Sequence, residues 1–372
     1  MRQFPASPIT ALIDQKPLYN LGESIAPSLT IADLVGPQRL ADLGSVHLGY
    51  GTSAGESALR TLVAGRHGIP EDQVLITNGA AAALFLLGLL CGDGEILIGQ
   101  PCYPPMLEAL HGIGAKVVTV RSRFDDGYRI DLDAFAATLS PRTQLVMFAS
   151  PQNPSAVLIT DREVEQMLAA MSRACPEAPL LIDETFREAT YGARPAAASF
   201  AGRSPRLVTC ASLSKAYGAP GLRIGWLTVP DPALYEQLRL AKFNSSLCCG
   251  TLDEFLAAEL LSRADHVLAM RGAFMADARD VVERWIKAHT GRLRWLPPEA
   301  SAFCCLQLDP GTFGPADIDR FHTYLRQRRT IVAPGPWFGD DAHIIRLGLA
   351  YEPPDKLAHG LDVISAALET SR

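Results

Sequence analysis

Lys215 sits in the stretch Ser212-Leu213-Ser214-Lys215-Ala216-Tyr217-Gly218-Ala219-Pro220-Gly221-Leu222-Arg223-Ile224-Gly225-Trp226. A lysine amine condenses with an aldehyde. The flanking hydroxyls of Ser212 and Ser214, with the guanidinium of Arg223 eight positions on, are donors that suit a phosphate monoester. A lone lysine before a strand is ordinarily a solvated cation. With these neighbours it points to a ligand that has an aldehyde at one end and a phosphate at the other. Pyridoxal 5'-phosphate (PLP) is such a molecule, and this stretch could hold both of its ends.

Other polar residues fall where such a ligand would be met. Thr77-Asn78-Gly79-Ala80-Ala81 precedes an apolar helix. Free N–H groups and the helix dipole favour phosphate there, although many helices begin with Asn-Gly. Asn153 lies in Ser150-Pro151-Gln152-Asn153-Pro154-Ser155, a loop stiffened by two prolines that also reads as an ordinary Asn-Pro turn. Asp183 ends the run Leu180-Leu181-Ile182. A carboxylate at the tip of a buried strand needs a partner, whether a ligand or a helix cap.

These residues must be positioned by strands and helices. The middle of the chain alternates short apolar runs with amphipathic stretches. Strands are predicted at Glu95–Gly99, Lys116–Val120, Gln144–Ala149, Leu180–Asp183, Leu207–Ala211 and Ile224–Val229. A helix is predicted over Asp161–Arg173, with Val164, Met167, Leu168 and Met171 on one face and a capping box from Thr160 to Glu163. Such alternation predicts an α/β fold, a mostly parallel sheet with helices on both faces. Ligands of open α/β sheets bind outside the carboxyl ends of the strands, where Asn153, Asp183 and Lys215 fall. After about Pro230 the texture changes to a helix-rich stretch, Pro232 to His289, then Phe303–Leu308, a helix near Ala316–Arg328 and His343–Leu349. That predicts a smaller α+β domain, against which the Pro- and Gly-rich first forty residues are expected to pack.

Composition bounds the classes of partner. The 372 residues are 48% apolar and 20% charged, enough for a sizeable core and two domains. A net charge of −6 argues against a nucleic-acid partner. The eight cysteines include the adjacent pairs Cys248-Cys249 and Cys304-Cys305 and no CxxC pair, so no zinc site or redox motif is expected. Met1 to Thr10 lacks a basic-then-apolar signal pattern, and the longest apolar run, Ala80 to Cys91, is too short to span a bilayer. A reduced, cytoplasmic setting without a membrane partner is expected.

The chain resembles the class I/II aminotransferases, PLP enzymes of fold type I, from about Gly22 to Arg346. The resemblance rests on Tyr50 with Gly55 and Leu59-Arg60, Thr77-Asn78-Gly79, Pro101-Cys102-Tyr103-Pro104, Asn153-Pro154-Ser155, Asp183-Glu184, Ser212-Leu213-Ser214-Lys215, Arg223-Ile224-Gly225 and Arg346 in Ile345-Arg346-Leu347-Gly348, all in the expected order. It implies a large domain, 44–245, with a mostly parallel seven-stranded sheet flanked by helices. It also implies a small α+β domain, 246–372, and an N-terminal segment, 1–43, packing with the latter. By the same match Lys215 carries PLP as a Schiff base and moves a proton between the substrate α-carbon and the cofactor. Asp183 pairs with the pyridine nitrogen, Asn153 bonds the 3'-oxygen, Tyr103 stacks on the ring, and position 186 lies beside it. The phosphate takes the N–H groups at Gly79, Ala80 and Ala81, the hydroxyls of Ser212 and Ser214, and Arg223. Arg346, whose planar fork matches a carboxylate, grips the substrate α-carboxylate with Asn153 and Gly22 nearby. Tyr50 reaches the phosphate of the neighbouring subunit, which implies a homodimer.

Two positions depart from the family pattern. Phe186 replaces a tyrosine whose phenol would bond the 3'-oxygen, so the cofactor's imine is expected to have a raised pKa unless a group such as Tyr191 substitutes. Ala156 replaces a glycine, which predicts a less extreme turn. The leading expectation is transfer of an amino group between an L-amino acid and a 2-oxo acid, within amino-acid metabolism. Alternatives on the same scaffold are a β-elimination C–S lyase, an amino-acid decarboxylase and a side-chain cyclase, since PLP stabilises the same carbanion in each. No confident second arginine marks a dicarboxylate substrate. A regulator of this fold would carry an added DNA-binding domain, for which the chain has no room.

Overall fold

The computed structural model describes residues 3–35 and 37–371. Seven strands form the main sheet: β1 (Val74–Thr77), β2 (Glu95–Gln100), β3 (Lys116–Arg121), β4 (Thr143–Ala149), β5 (Leu180–Asp183), β6 (Leu207–Ser212) and β7 (Gly225–Thr228). Their order is β1-β7-β6-β5-β4-β2-β3. Only β7 runs against the others, pairing antiparallel with both β1 and β6. The α/β class and the mostly parallel seven-stranded sheet are therefore as expected. Central strands are buried on both faces, which explains their near-continuous apolar runs: Ile96, Leu97, Ile98, Leu180, Leu181 and Ile182 are all inaccessible to solvent.

Helices cover both faces. Helix α1 (Gly79–Leu90) is Ala- and Leu-rich, a composition of strong helix formers, and buries Ala83, Leu84, Leu86 and Leu87. Helix α2 (Asp161–Ala174) begins with the capping box at Thr160 and Glu163, whose side chains satisfy the first free N–H groups. Its apolar face, Val164, Met167 and Met171, packs on Phe148, Leu180 and Ile182.

Beyond β7, helices span Pro232–Ser246, Thr251–Ser262 and Ala264–Ala288. A second, antiparallel sheet follows, from β8 (Leu293–Leu296), β9 (Phe303–Leu308), β10 (Ala333–Pro334) and β11 (Ile344–Gly348), in the order β10-β11-β9-β8. Helices Pro315–Gln327 and Pro354–Thr370 pack with it. Near the N-terminus, Tyr19–Asn20 pairs in parallel with Thr330–Ile331, and the Gly348 N–H donates to Leu21 O at 2.8 Å. Residues 21–24 are thereby laid along β11. Among the described residues no helix is long and apolar enough to cross a membrane.

The Ala156 turn corrects one expectation. Its φ is +64°, so the turn stays left-handed without glycine. The methyl group is fully buried against Phe186 and Phe303. Burying it contributes about 0.8 kcal/mol, comparable to the ~1 kcal/mol lower bound for the left-handed conformation, so packing holds alanine where freedom would favour glycine.

Candidate active site

The carboxyl ends of β1, β4, β5 and β6 share one edge of the sheet, and β7, being antiparallel, begins there. Thr77 closes β1 and donates its hydroxyl to Gly79 O at 3.0 Å. Gly79, with φ +77°, then opens α1. A Cβ at Gly79 would lie 2.4 Å from Arg223 Nη2, and one at Gly225 would lie 2.6 Å from the Ala80 nitrogen. The two glycines thus let a guanidinium and a strand close on the helix N-terminus. Arg223 donates from Nη1 to Pro220 O at 3.0 Å and to Ser214 Oγ at 3.4 Å, and from Nη2 to Asn78 O at 3.5 Å. Two of these bonds are long, so the fork retains capacity for an anion. Ser212 Oγ accepts from the Ser214 N–H at 3.3 Å. With the first-turn N–H groups of Ala80 and Ala81, these donors form a cradle suited to phosphate.

Asp183 is the last residue of β5, and its Oδ1 accepts from the Thr185 N–H at 2.9 Å. Desolvation pushes its carboxyl pKa up, against the lowering effects of Thr185, Cys210 and the Lys215 charge. A cation facing it would favour the ionised form. Lys215 follows β6, and its Nζ donates to Ser24 Oγ at 2.8 Å and stands 3.8 Å from Glu23 Oε1. Desolvation is the main cause of a lowered pKa for this amine, helped by Arg346 and Arg223 and opposed by Glu23 and Asp183. A depressed pKa enlarges the neutral, nucleophilic fraction. The Phe186 ring centroid lies 5.7 Å from Nζ, and that ring meets Phe303 edge-on at 4.9 Å.

Arg346, on β11, is fully buried. Nη1 donates to Asn153 Oδ1 at 2.8 Å and Nη2 to Gly22 O at 2.6 Å, while Nε is buried without a partner among the described residues. Phe338 and Phe303 lie against the guanidinium, with centroids at 4.8 and 5.1 Å from Cζ. Tyr103 stands among Arg346, Asp183, Arg223 and Glu23, whose charges all act on its hydroxyl. Lys215, Asp183, Asn153, Tyr103, Gly22 and Arg346 thus lie close together, with the Arg223 cradle beside them. Tyr50 is 88% exposed. Tyr191 does not substitute for the phenol missing at Phe186: its hydroxyl donates to Ser301 O at 2.6 Å. Sequence reasoning did not identify Glu23, Ser24, Phe303 or Phe338. Only the adjacency of Glu23 and Ser24 to Gly22 could have signalled the first two.

The residues fit PLP. Asp183 suits a pyridinium, the Arg223 cradle suits the phosphate, and the orphaned Nε of Arg346 suits a carboxylate alongside it. Comparison with known proteins agrees. The family described as aminotransferase class I and II matches residues 17–364. The chain belongs to that family. As a class I and II aminotransferase family member it is a transferase enzyme, and its cofactor is pyridoxal phosphate. It is similar to the arginine–pyruvate transaminase of Pseudomonas aeruginosa, 31% identical over 323 residues, 82% of this chain and 78% of that one. It is also similar to the capreomycidine synthase of Streptomyces vinaceus, 30% identical over 324 residues, 86% of this chain and 81% of that one. Among solved structures, a PLP-dependent aminotransferase from Streptococcus suis superposes with a TM-score of 0.85 over 96% of this chain and 94% of that one, at 23% identity, and shares its fold.

Proposed function

We propose that this protein moves an amino group from an L-amino acid to a 2-oxo acid, with Lys215 as the amine that holds the cofactor and carries the proton. The observation that carries this reading is the placement of a desolvated lysine amine, a strand-tip carboxylate and a buried guanidinium with an unpartnered N–H around one cleft.

In this reading Asp183 faces the pyridine nitrogen. The Asn153 carbonyl oxygen is occupied by Arg346, so its NH2 is the group left to donate to the 3'-oxygen. Ser212, Ser214, Arg223 and the N–H groups at the start of α1 hold the phosphate, and Tyr103 covers the ring. Bound pyridoxal phosphate supplies the electron sink for the pair left at the substrate α-carbon. Arg346 fixes the α-carboxylate, which orients the α-hydrogen toward Lys215. The Lys215 Nζ would take and hold that proton, with Ser24 Oγ orienting the amine. We further infer a cytoplasmic homodimer acting in amino-acid biosynthesis or turnover, built from the segments 1–43, 44–245 and 246–372. Eight free cysteines, all buried except Cys248, support a reducing setting. Exposed Leu48, Tyr50, Phe243 and Leu247 lie on neighbouring segments, joined by the Thr251 hydroxyl on His47 O at 3.2 Å, and support a subunit contact.

The test mixes the PLP-loaded protein with a panel of amino acids and follows the cofactor spectrum. Conversion to the amine form, reversed by a 2-oxo acid, supports the proposal. Release of ammonia with pyruvate, or of carbon dioxide, without that reversible conversion would replace it with a lyase or a decarboxylase. Cyclisation of the side chain without a 2-oxo acid product would replace it with a cyclase.

A further inference from the structure

Once cofactor and α-carboxylate are bound, most ionised groups of the cleft have partners in the reading above. Asp183 has the pyridine nitrogen, Arg223 the phosphate, Arg346 the carboxylate, and Lys215 gives its amine to the chemistry. Glu23 is left over. Its Oε1 accepts from the Ser24 N–H at 2.8 Å and from Ser24 Oγ at 3.3 Å. Among the described residues its only ion-pair partner is Lys215, at 3.8 Å. The side chain is 15% exposed, so the loss of that cation leaves a largely desolvated carboxylate beside the Lys215 amine.

Its position is also fixed. A Cβ at Gly348 would lie 2.1 Å from Glu23 O, so this backbone approaches β11 as closely as glycine permits. The Gly22 carbonyl is held by Arg346 itself, at 2.6 Å, and the Leu21 carbonyl by the Gly348 N–H at 2.8 Å. Glu23 and the carboxylate-gripping Arg346 therefore belong to one rigid unit. The Glu23 charge is the first among the charges acting on both Lys215 and Arg346. Phe186 borders the same amine with an apolar wall on which methylene groups could rest.

We propose that Glu23 selects amino acids whose side chain ends in a cation, an ammonium or a guanidinium. The amino donor then belongs to that class, and an acidic side chain is repelled. The inference rests on the transamination reading for its substrate and on Glu23's place in the cleft for its specificity.

The experiment uses the PLP-loaded protein, wild type and Glu23→Gln, with two readouts. Calorimetry measures binding of 4-guanidinobutyrate and its neutral isostere 4-ureidobutyrate, which lack the reacting α-amine. Stopped-flow absorbance measures kcat/KM for L-arginine and L-lysine beside L-citrulline and L-norleucine. A charge-assisted hydrogen bond in a desolvated site corresponds to about ten- to a hundredfold in affinity. Wild type is expected to prefer the cationic member of each pair by about that factor, and Glu23→Gln to lose that preference, whatever the common change in rate that removing a charge beside Lys215 brings to both members. Equal binding and reactivity of both members in the wild type would overturn the inference without the variant, and so would an equal loss for both in Glu23→Gln. If no amino acid converts the cofactor, transamination falls, and the guanidinobutyrate comparison still decides the role of Glu23.

Discussion

Phe186 is the single residue at which the chemistry of this site departs most from the family pattern. Its ring touches Phe303 and borders Lys215, and the phenol of Tyr191 donates its hydrogen bond to Ser301 O. No tyrosine hydroxyl is therefore committed to the 3'-oxygen from this wall. Phe186→Tyr is expected to lower the pH midpoint of the bound cofactor's absorbance by about one unit, because a hydrogen bond to the anionic oxygen favours the deprotonated form. A titration with an unchanged midpoint would contradict this. At this scale the sequence was most legible where a residue type had a single sensible use. A lysine between serines, an aspartate ending an apolar run, and an arginine between Ile345 and Leu347 all reached the cleft. Glu23 and Ser24 were illegible because they gain meaning only when residues 21–24 are laid on β11, a contact spanning more than three hundred positions.

The elements do their work through close approach at their ends. The phosphate cradle depends on Gly79 leaving room for Arg223 and on its positive φ at the start of α1. Gly79→Ala is expected to raise the PLP dissociation constant about tenfold or more, because the added methyl group displaces the Arg223 guanidinium from the cradle and weakens a charge-assisted hydrogen bond. Gly68→Ala, also at positive φ but with nothing within 4 Å of its added methyl, is the control. It should cost folding stability and leave PLP binding unchanged, as equilibrium titration of cofactor into apoprotein would show. Equal PLP affinity in Gly79→Ala and wild type would remove the cradle argument. The parallel strands were legible because burial on both faces leaves unbroken apolar runs. Val74–Thr77 was missed, a run of four residues whose identity as a strand comes from pairing with Gly225–Thr228, about 150 positions away. Ala156 was misjudged because conformational preference was read without the packing of its methyl group.

Across the whole molecule, the proposed assembly and the chemistry can be separated experimentally. Tyr50 is exposed on its own chain, and the proposal gives it to the neighbour's phosphate. The protein is expected to sediment as a dimer. Tyr50→Ala and Lys215→Ala, each impaired alone, should recover activity when unfolded together and refolded as a mixture, since one hybrid site then has both residues intact. A monomeric mass, or no recovery from refolded mixtures, would reject the shared site. The central claim itself is that the Lys215 amine bonds covalently to the aldehyde of pyridoxal phosphate. The most direct measurement is borohydride reduction of the PLP-loaded protein followed by mass mapping of the peptides. The account predicts one phosphopyridoxyl group per chain, on Lys215, and none there in Lys215→Ala. A wild-type protein that stays colourless with PLP, or that carries the reduced label on another lysine and leaves Lys215 unmodified, would contradict it.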